Sequence, residues 1–127
     1  MNLDVTISRE ALDYILENAR VLHPRESILL LRGKVNKDKI VVSEVLVPPL
    51  ATHGKGFAGF PMYMMPIDFS IIGTAHSHPS GSLTPSTGDL NRSFSRIIMI
   101  VAFPYLDETR VVVYNREGKK LVLTVNG

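Results

Sequence analysis

The chain has 127 residues, of which 45% are hydrophobic and 20% are charged, and its formal net charge is +2 at pH 7. This length and composition are typical of a folded protein with its own core, and we expect a single domain over residues 1–127. The small net charge argues against a nucleic-acid partner, and the absence of cysteine excludes disulfide bonds and thiolate chemistry.

The first half of the chain predicts a strand, a helix and a β-hairpin. Ser8 is a typical helix N-cap, and apolar residues follow it at helical spacing as far as Leu22. The expected strands cover residues 5–7, 27–31 and 40–47, and the last two flank a turn signal at 36–38. The glycine-rich stretch at 50–61 predicts a mobile loop.

The second half predicts further strands and short helices. They are a strand at 62–65, a helix opened by Pro66 that runs through Ile71 and Ile72, a strand from Gly73 to His78, a loop at 79–85, a helix at 86–96, and strands at 97–103, 110–114 and 120–125. The longest apolar run, 97–103, is too short to cross a membrane, and we find no signal peptide, so we expect a cytoplasmic protein without a membrane partner. Because strands and helices do not alternate regularly, the pattern predicts a mixed α/β chain of the α+β type rather than a doubly wound sheet.

Two of the four histidines stand two positions apart in the predicted strand after Gly73. Alternate residues of a strand share a face, so His76 and His78 can reach one metal ion together. Asp89 follows across a loop, which can bring its carboxylate back as a third ligand. Two imidazoles, a carboxylate and an open fourth position are typical of a catalytic zinc site, and the same donors also suit iron or manganese.

A metal site of this kind needs a carboxylate outside the ligand set to accept a proton from the attacking water. Glu26 ranks first on chemical grounds, because it leads into an apolar strand while most other carboxylates lie on predicted helix faces or turns. Ser86 can donate a hydrogen bond to a carbonyl oxygen that becomes negatively charged. Structural interpretations stand beside these: the His-x-His pair can be incidental, Glu26 can be solvated, and Ser86 with Asp89 is a near capping box at a helix start.

Together these positions resemble the motif of the JAMM (MPN+) metalloprotease family. In that motif a glutamate lies far upstream of His-x-His, which is followed by seven residues, Ser, two residues and Asp. Glu26 and the segment HSHPSGSLTPSTGD, residues 76–89, fill every position at this spacing. HPRESILLLRG, MMPIDFSIIGTAHSHPS and VVVYNREGKKLVLTV also resemble family sequences, so the similarity extends over nearly the whole chain. It is greatest to the small archaeal and bacterial members, which include desampylase-like enzymes.

The resemblance implies the MPN/JAMM fold, a cytidine-deaminase-like arrangement in which a curved mixed β-sheet is sandwiched by helices. It also implies one Zn²⁺ ion per chain, held by His76, His78 and Asp89. In such relatives the glutamate, here Glu26, acts as general base and then as general acid. The serine, here Ser86, helps to stabilise the oxyanion.

The activity that the resemblance implies is that of a zinc-dependent isopeptidase, which cleaves ubiquitin-like (SAMP-type) modifiers from lysine conjugates after the C-terminal Gly-Gly. The same chemistry would serve a peptidase that processes linear precursors of ubiquitin-like sulfur-carrier proteins. A non-catalytic MPN scaffold is the remaining alternative, and its expected sign, a gap in the motif, is absent from this sequence. The expected partners are the modifiers and their lysine conjugates, and a homodimer is compatible with the predicted strand edges and the methionines at 62–65.

Overall fold

The computed structural model describes residues 4–48, 52–54, 57–59, 70–86 and 96–127. Within these ranges the chain forms nine strands, one α-helix and one short 3-10 helix. In chain order they are β1 (Asp4–Ser8), α1 (Arg9–Leu22), β2 (Ile28–Asn36), β3 (Lys39–Leu46), β4 (Thr52–Gly54), β5 (Phe57–Gly59), β6 (Ile71–His78), β7 (Ile97–Ala102), the 3-10 helix Glu108–Arg110, β8 (Val111–Asn115) and β9 (Lys120–Asn126). Neither helix in the described part of the chain is long and apolar enough to span a bilayer.

Helix α1 begins where the sequence predicts, because Ser8 caps it. The backbone of Ser8 is extended, with φ −72° and ψ 152°, and its Oγ accepts a hydrogen bond from Ala11 N at 3.1 Å. At the other end, His23 N donates to the Ala19 carbonyl oxygen at 3.0 Å. One stripe of the helix is buried against the sheet, consisting of Leu12, Ile15, Leu16 and Ala19.

Seven strands form a closed barrel in the order β1-β3-β2-β6-β7-β8-β9. The pairs β1–β3, β6–β7 and β1–β9 are parallel, and the other neighbouring pairs are antiparallel. The β1–β9 pair closes the barrel and brings Ile7 opposite Val125. The architecture is the mixed sheet of an α+β protein that the sequence predicts, and its closure agrees with the curvature that the family resemblance implies.

Strand β6 lies inside this sheet, and all eight of its residues are buried. One of its faces contributes Ala75 to the main core, which is shared with helix α1. Alternation along the strand puts Thr74, His76 and His78 on the opposite face. Two smaller apolar clusters border that face, and each supplies one cross-strand partner of His76, namely Ile28 on β2 and Ile100 on β7.

The predictions for helix α1, for the β2–β3 hairpin and for the C-terminal hairpin are confirmed. Strand β2 runs on to Asn36 instead of ending at residue 31, because it stays paired with β3 as far as Lys39. The stretch 50–61, which the sequence predicts to be a loop, contains the two-stranded sheet β4–β5.

The predicted helix from Pro66 through Ile72 is wrong at its C-terminal end. Ile71 and Ile72 belong to β6, and Ile71 lies opposite Arg32 of β2. Pairing with a neighbouring strand decides their conformation, and a helix signal at one proline carries no information about that partner. The strand expected at 62–65 and the helix body expected at 87–95 lie outside the described residues.

Candidate active site

The two histidines of β6 are buried and hydrogen-bonded. His76 is 5% exposed and His78 is 8% exposed. His78 Nδ1 lies 3.0 Å from the Ser82 carbonyl oxygen. A carbonyl oxygen only accepts, so Nδ1 carries the proton, and in a neutral imidazole the lone pair is then on Nε2. His76 Nε2 lies 2.9 Å from Thr74 Oγ1, a hydroxyl that can donate or accept, so this contact alone does not set the tautomer of His76.

These histidines fit a zinc ion by the chemistry of their donors. A metal-binding histidine usually donates its second ring N–H to an oxygen, and His78 has this arrangement with Ser82. Two imidazole nitrogens and one carboxylate oxygen are a ligand set that zinc accepts. The carboxylate expected from the sequence, Asp89, lies outside the described residues. Among the residues that the structure does describe, no three His, Cys, Asp or Glu side chains are grouped so that they could hold a metal.

The pairing of β2 with β6 extends to Ser27, the residue after Glu26. Ile28 pairs with the first of the two histidines, and the next residues along, Ser27 and Ser77, continue the ladder through a bond of 3.0 Å from Ser77 N to the Ser27 carbonyl. Glu26 is the residue before this pair, so it lies at the end of the two strands where β6 reaches His78. It is half-buried there.

A buried polar cluster lies on the other face of the same strands. Ser77 Oγ accepts hydrogen bonds from Ser27 N at 2.7 Å and from Ser27 Oγ at 3.2 Å. Tyr105, 1% exposed, joins this cluster. Burial raises the pKa of the Tyr105 phenol, a hydrogen bond with Ser77 lowers it, and the charge of Glu26 raises it, with a net shift upward. The phenol is therefore protonated at neutral pH and can donate a hydrogen bond.

Tyr105 is fixed by several contacts that the sequence does not reveal. Its φ is 59°, a left-handed conformation that is uncommon for residues other than glycine. The Arg20 guanidinium of helix α1 donates to its carbonyl oxygen. Its ring meets the rings of His23 and Phe103 edge-on, with centroid distances of 5.8 and 5.9 Å. No spacing signal identifies Tyr105, because its contacts with His23 and Arg20 span 82 and 85 positions.

Ser86 is exposed and ends the segment that leaves strand β6. It is the last described residue before 87–95, the range that contains Asp89. Of the five residues that the sequence singles out, the structure places His76 and His78 on one face of β6 and Glu26 next to Ser27, the partner of Ser77. That all five form one site stays a prediction.

Comparisons with known proteins agree on one family. A model of the family described as prokaryotic homologues of the JAB domain matches residues 8–113. A probable metalloprotease of Haloferax volcanii is 38% identical over an alignment of 108 residues, and the alignment covers 80% of this chain and 67% of the relative. The family match over 8–113 spans Glu26 and the whole segment from His76 to Asp89.

Solved structures show the same likeness in three dimensions. A JAB1/MPN domain protein from Archaeoglobus fulgidus is 36% identical, with a TM-score of 0.71 over 96% of this chain and 99% of that chain. A structure of JAMM, a metalloprotease-like zinc site in the proteasome and signalosome, is 34% identical, with a TM-score of 0.68 over 97% of this chain and 98% of that chain. Both likenesses extend over almost the full length of each partner.

Proposed function

The chain belongs to the JAMM/MPN family, and from that premise we propose that it is a zinc-dependent isopeptidase. In this proposal it releases ubiquitin-like (SAMP-type) modifiers from target lysines by hydrolysis after the C-terminal Gly-Gly. The observation that carries the proposal is the buried pair His76 and His78 on one face of β6, with the half-buried Glu26 next to Ser27, the residue that pairs with Ser77.

His76, His78 and Asp89 are the residues that would hold the zinc ion, one per chain. When bound, zinc supplies a Lewis acid that lowers the pKa of water and polarises a carbonyl group. Glu26 accepts a proton from the attacking water and then donates it to the leaving lysine amine. The Ser86 hydroxyl donates a hydrogen bond to the carbonyl oxygen as negative charge develops on it.

The proposed substrate is consistent with the demands of this reaction. Water adds to the glycine carbonyl, the bond from carbon to the lysine nitrogen breaks, and the products are a modifier with a free carboxylate and a free lysine. A Gly-Gly tail lacks Cβ atoms, so its backbone can approach the reacting groups closely. We further propose that the tail adds as an extended strand beside the sheet β4–β5, since strand addition is a common mode of peptide recognition.

The test of this proposal is cleavage of a defined conjugate by zinc-loaded protein. The substrate is a ubiquitin-like modifier joined through its terminal glycine to a lysine, and the products are read by intact mass. We expect release of intact modifier ending in Gly-Gly, its abolition by a chelator, and its recovery on adding zinc back. A modifier whose tail ends in Ala-Ala is the matched substrate control and should be cleaved poorly.

A linear fusion of the same modifier distinguishes the alternative peptidase. Cleavage of the fusion without cleavage of the lysine conjugate would replace the isopeptidase with a precursor-processing enzyme. If zinc-loaded protein cleaves neither substrate, the proposed activity is wrong and a non-catalytic scaffold is favoured.

A further inference from the structure

Three consecutive backbone carbonyls after strand β6 each accept a hydrogen bond from a different side chain. The Gly81 carbonyl accepts from Arg110 Nη2 at 2.7 Å. The Ser82 carbonyl is the partner of His78 Nδ1 at 3.0 Å. The Leu83 carbonyl accepts from the Tyr114 hydroxyl at 2.8 Å. The carbonyl that sets the tautomer of His78 is thus flanked on both sides by carbonyls that other residues hold.

Both flanking donors belong to β8 or to the 3-10 helix that directly precedes it. Tyr114 lies on β8, which pairs with β7, and β7 pairs in turn with the histidine strand β6. Its ring packs against the apolar cluster of Ile98, Ile100 and Val112, and the side chain of Leu83 packs there too. Arg110 ends the 3-10 helix immediately before β8 and also donates to the Phe103 carbonyl at 3.3 Å. The loop is therefore fastened to the same sheet that carries the histidines.

The loop needs this support because its own hydrogen bonds are short-range and because it contains a glycine, whose backbone is the least restricted. Gly81 has a φ of 84°, a left-handed backbone conformation that glycine adopts without strain because it has no Cβ. The local bonds from Ser82 N to Ser80 Oγ and from Thr84 N to Ser82 Oγ, at 3.3 and 3.2 Å, use amides rather than carbonyls. They curve the chain without fixing the direction of the Ser82 carbonyl. Holding the peptide planes on either side restricts that direction, because each plane is rigid.

The direction of the Ser82 carbonyl matters for His78. The two neutral tautomers of an imidazole differ in which nitrogen keeps the lone pair, and a fixed acceptor at Nδ1 selects the one with its lone pair on Nε2. If that acceptor turns away, both tautomers become accessible and a metal must select one of them on binding. The cost of that selection would appear as weaker affinity.

We propose that Arg110 and Tyr114 are positioning residues for His78, acting through the backbone of residues 81–83 to hold its tautomer and so to raise the metal affinity of the site. The inference rests on the proposed function only in taking His78 as a metal ligand. It makes no reference to the substrate, so it can be tested on protein that has no measured activity.

The experiment compares Tyr114→Phe and Arg110→Lys with two matched controls. Tyr114→Phe removes one hydroxyl and keeps the packed ring, and Arg110→Lys keeps the charge but loses the guanidinium. The controls are Tyr14→Phe, on the exposed side of helix α1, and Arg116→Lys, in the exposed β8–β9 turn. Circular dichroism melting establishes that every variant is folded before comparison.

The first readout is the tautomer of His78 in zinc-free protein, by long-range ¹H–¹⁵N correlation at about pH 8.5, where an ordinary imidazole is neutral. We expect a protonated Nδ1 in the wild type and in both controls, and a mixture of tautomers in Tyr114→Phe and Arg110→Lys. The spectrum of a His78→Gln variant assigns the signal.

The second readout is zinc affinity, by competition with a chromophoric chelator. Removing the direct hydrogen-bonding partner of a metal ligand costs about 10–100-fold in affinity, and these two residues act one step further away. We therefore expect about 3–10-fold weaker binding in each variant and unchanged binding in the controls. Since both residues restrict the direction of the same Ser82 carbonyl by holding its two neighbours, their effects in the double variant should be less than additive.

Two results would overturn the inference. One is a wild-type protein in which the proton of His78 is on Nε2. The other is folded Tyr114→Phe and Arg110→Lys with both the tautomer and the zinc affinity of the wild type. Failure of the isopeptidase assay would leave both readouts intact, so the two proposals can fail separately.

Discussion

Glu26 lies before the first residue of β2, so the regular ladder of that strand does not hold it directly. Its neighbour Ser27 is tied to Ser77 of β6 by hydrogen bonds of 2.7 and 3.2 Å to the Ser77 hydroxyl. A general base must lie within hydrogen-bond reach of the water it activates. The anchored backbone of Ser27 restricts the Glu26 side chain before the reaction. Less conformational entropy is then lost when the carboxylate is positioned in the transition state.

Glu26→Gln should keep the zinc ion and lose turnover, because the amide has the same shape but cannot accept the proton. The expected loss in kcat is about 10²–10⁴-fold, the usual contribution of a general base. Zinc content is measured on the same samples. The matched control is Glu17→Gln on an exposed turn of helix α1, which should behave as wild type. Wild-type turnover in Glu26→Gln would show that another group is the base.

The residues proposed for the chemistry could be found from the sequence because their order and spacing in the chain form a motif. The residues that hold them in place could not be found in this way. Ser77 differs from other serines only in its contact with Ser27, fifty positions away, and Tyr114 reaches Leu83 across 31 positions. Such contacts are created by the pairing of strands, and no local pattern encodes which strands pair.

The pairing of β6 with β7 depends on a glycine near the start of the histidine strand. Gly73 lies opposite Ile97, and a Cβ built at Gly73 would lie 2.2 Å from the Ile97 carbonyl oxygen. This atom belongs to the backbone, so it cannot move aside as a flexible side chain could. The close approach of the two strands therefore requires glycine at this position.

Gly73→Ala should destabilise the protein by about 3 kcal/mol, at the upper end of the usual cost of overpacking. Gly81→Ala is the comparison: a Cβ there would meet no atom closer than 3.5 Å. Gly81→Ala should lower the free energy of unfolding only by the strain of an alanine in the left-handed conformation, about 1–2 kcal/mol. Urea unfolding measures both. Equal free energies of unfolding for the two variants would show that the β6–β7 contact can relax without cost.

The start of helix α1 is joined to the 3-10 helix by an exposed ion pair. Arg9 contacts the two carboxylate oxygens of Glu108 at 3.2 and 2.6 Å. The hydrogen bond from Arg9 is the largest cause that lowers the pKa of Glu108 to about 2, from an ordinary value of 4.5. A carboxyl whose pKa is lower in the folded state contributes its full stability above its ordinary pKa, and this is lost as the pH falls toward the folded value.

Glu108→Gln should therefore melt below the wild type near neutral pH, and the difference in Tm should shrink as the pH falls from about 4.5 to about 2. The pair is exposed, so the difference should be small and should also shrink at high salt. Glu117→Gln, in the exposed β8–β9 turn, is the control. A difference in Tm that does not change with pH would show that the ion pair is not its cause.

Elements governed by local signals are those that the sequence predicts well. Helix α1 has an apolar stripe within its own 14 residues and a cap at the residue just before them, and each confirmed hairpin joins neighbouring strands. The beginning of β6 is different, since Ile71 is a strand residue through its pairing with β2. The sequence also does not predict closure of the sheet, because β1 and β9 are far apart in the chain and no local pattern indicates that they pair.

That closure holds the whole molecule together. Strand β1 lies between β3 and β9, and both neighbours run parallel to it. Strand β9 also contributes to the main core through Leu121, Leu123 and Val125. Without β9, an edge of β1, an edge of β8 and this apolar surface would all be exposed to water.

Deleting residues 119–127 should abolish cooperative unfolding and promote aggregation, because no other described strand can close the gap between β8 and β1. Deleting Gly127 alone is the control and should leave the melting curve unchanged. The measurement is thermal unfolding by circular dichroism together with light scattering. A cooperative transition at the wild-type Tm in the longer deletion would mean that closure contributes little to stability.

The parallel pair β1–β9 also governs how the protein can fold as it is synthesised. Strand β1 leaves the ribosome before the other described strands and β9 leaves after them, so β1 waits for its second partner until all the others have been made. During that time β2, β3 and β6 can already pair in a sheet that is still open. The exposed side of β1 is then available to other nascent chains, which makes the interval before β9 emerges the period of greatest aggregation risk.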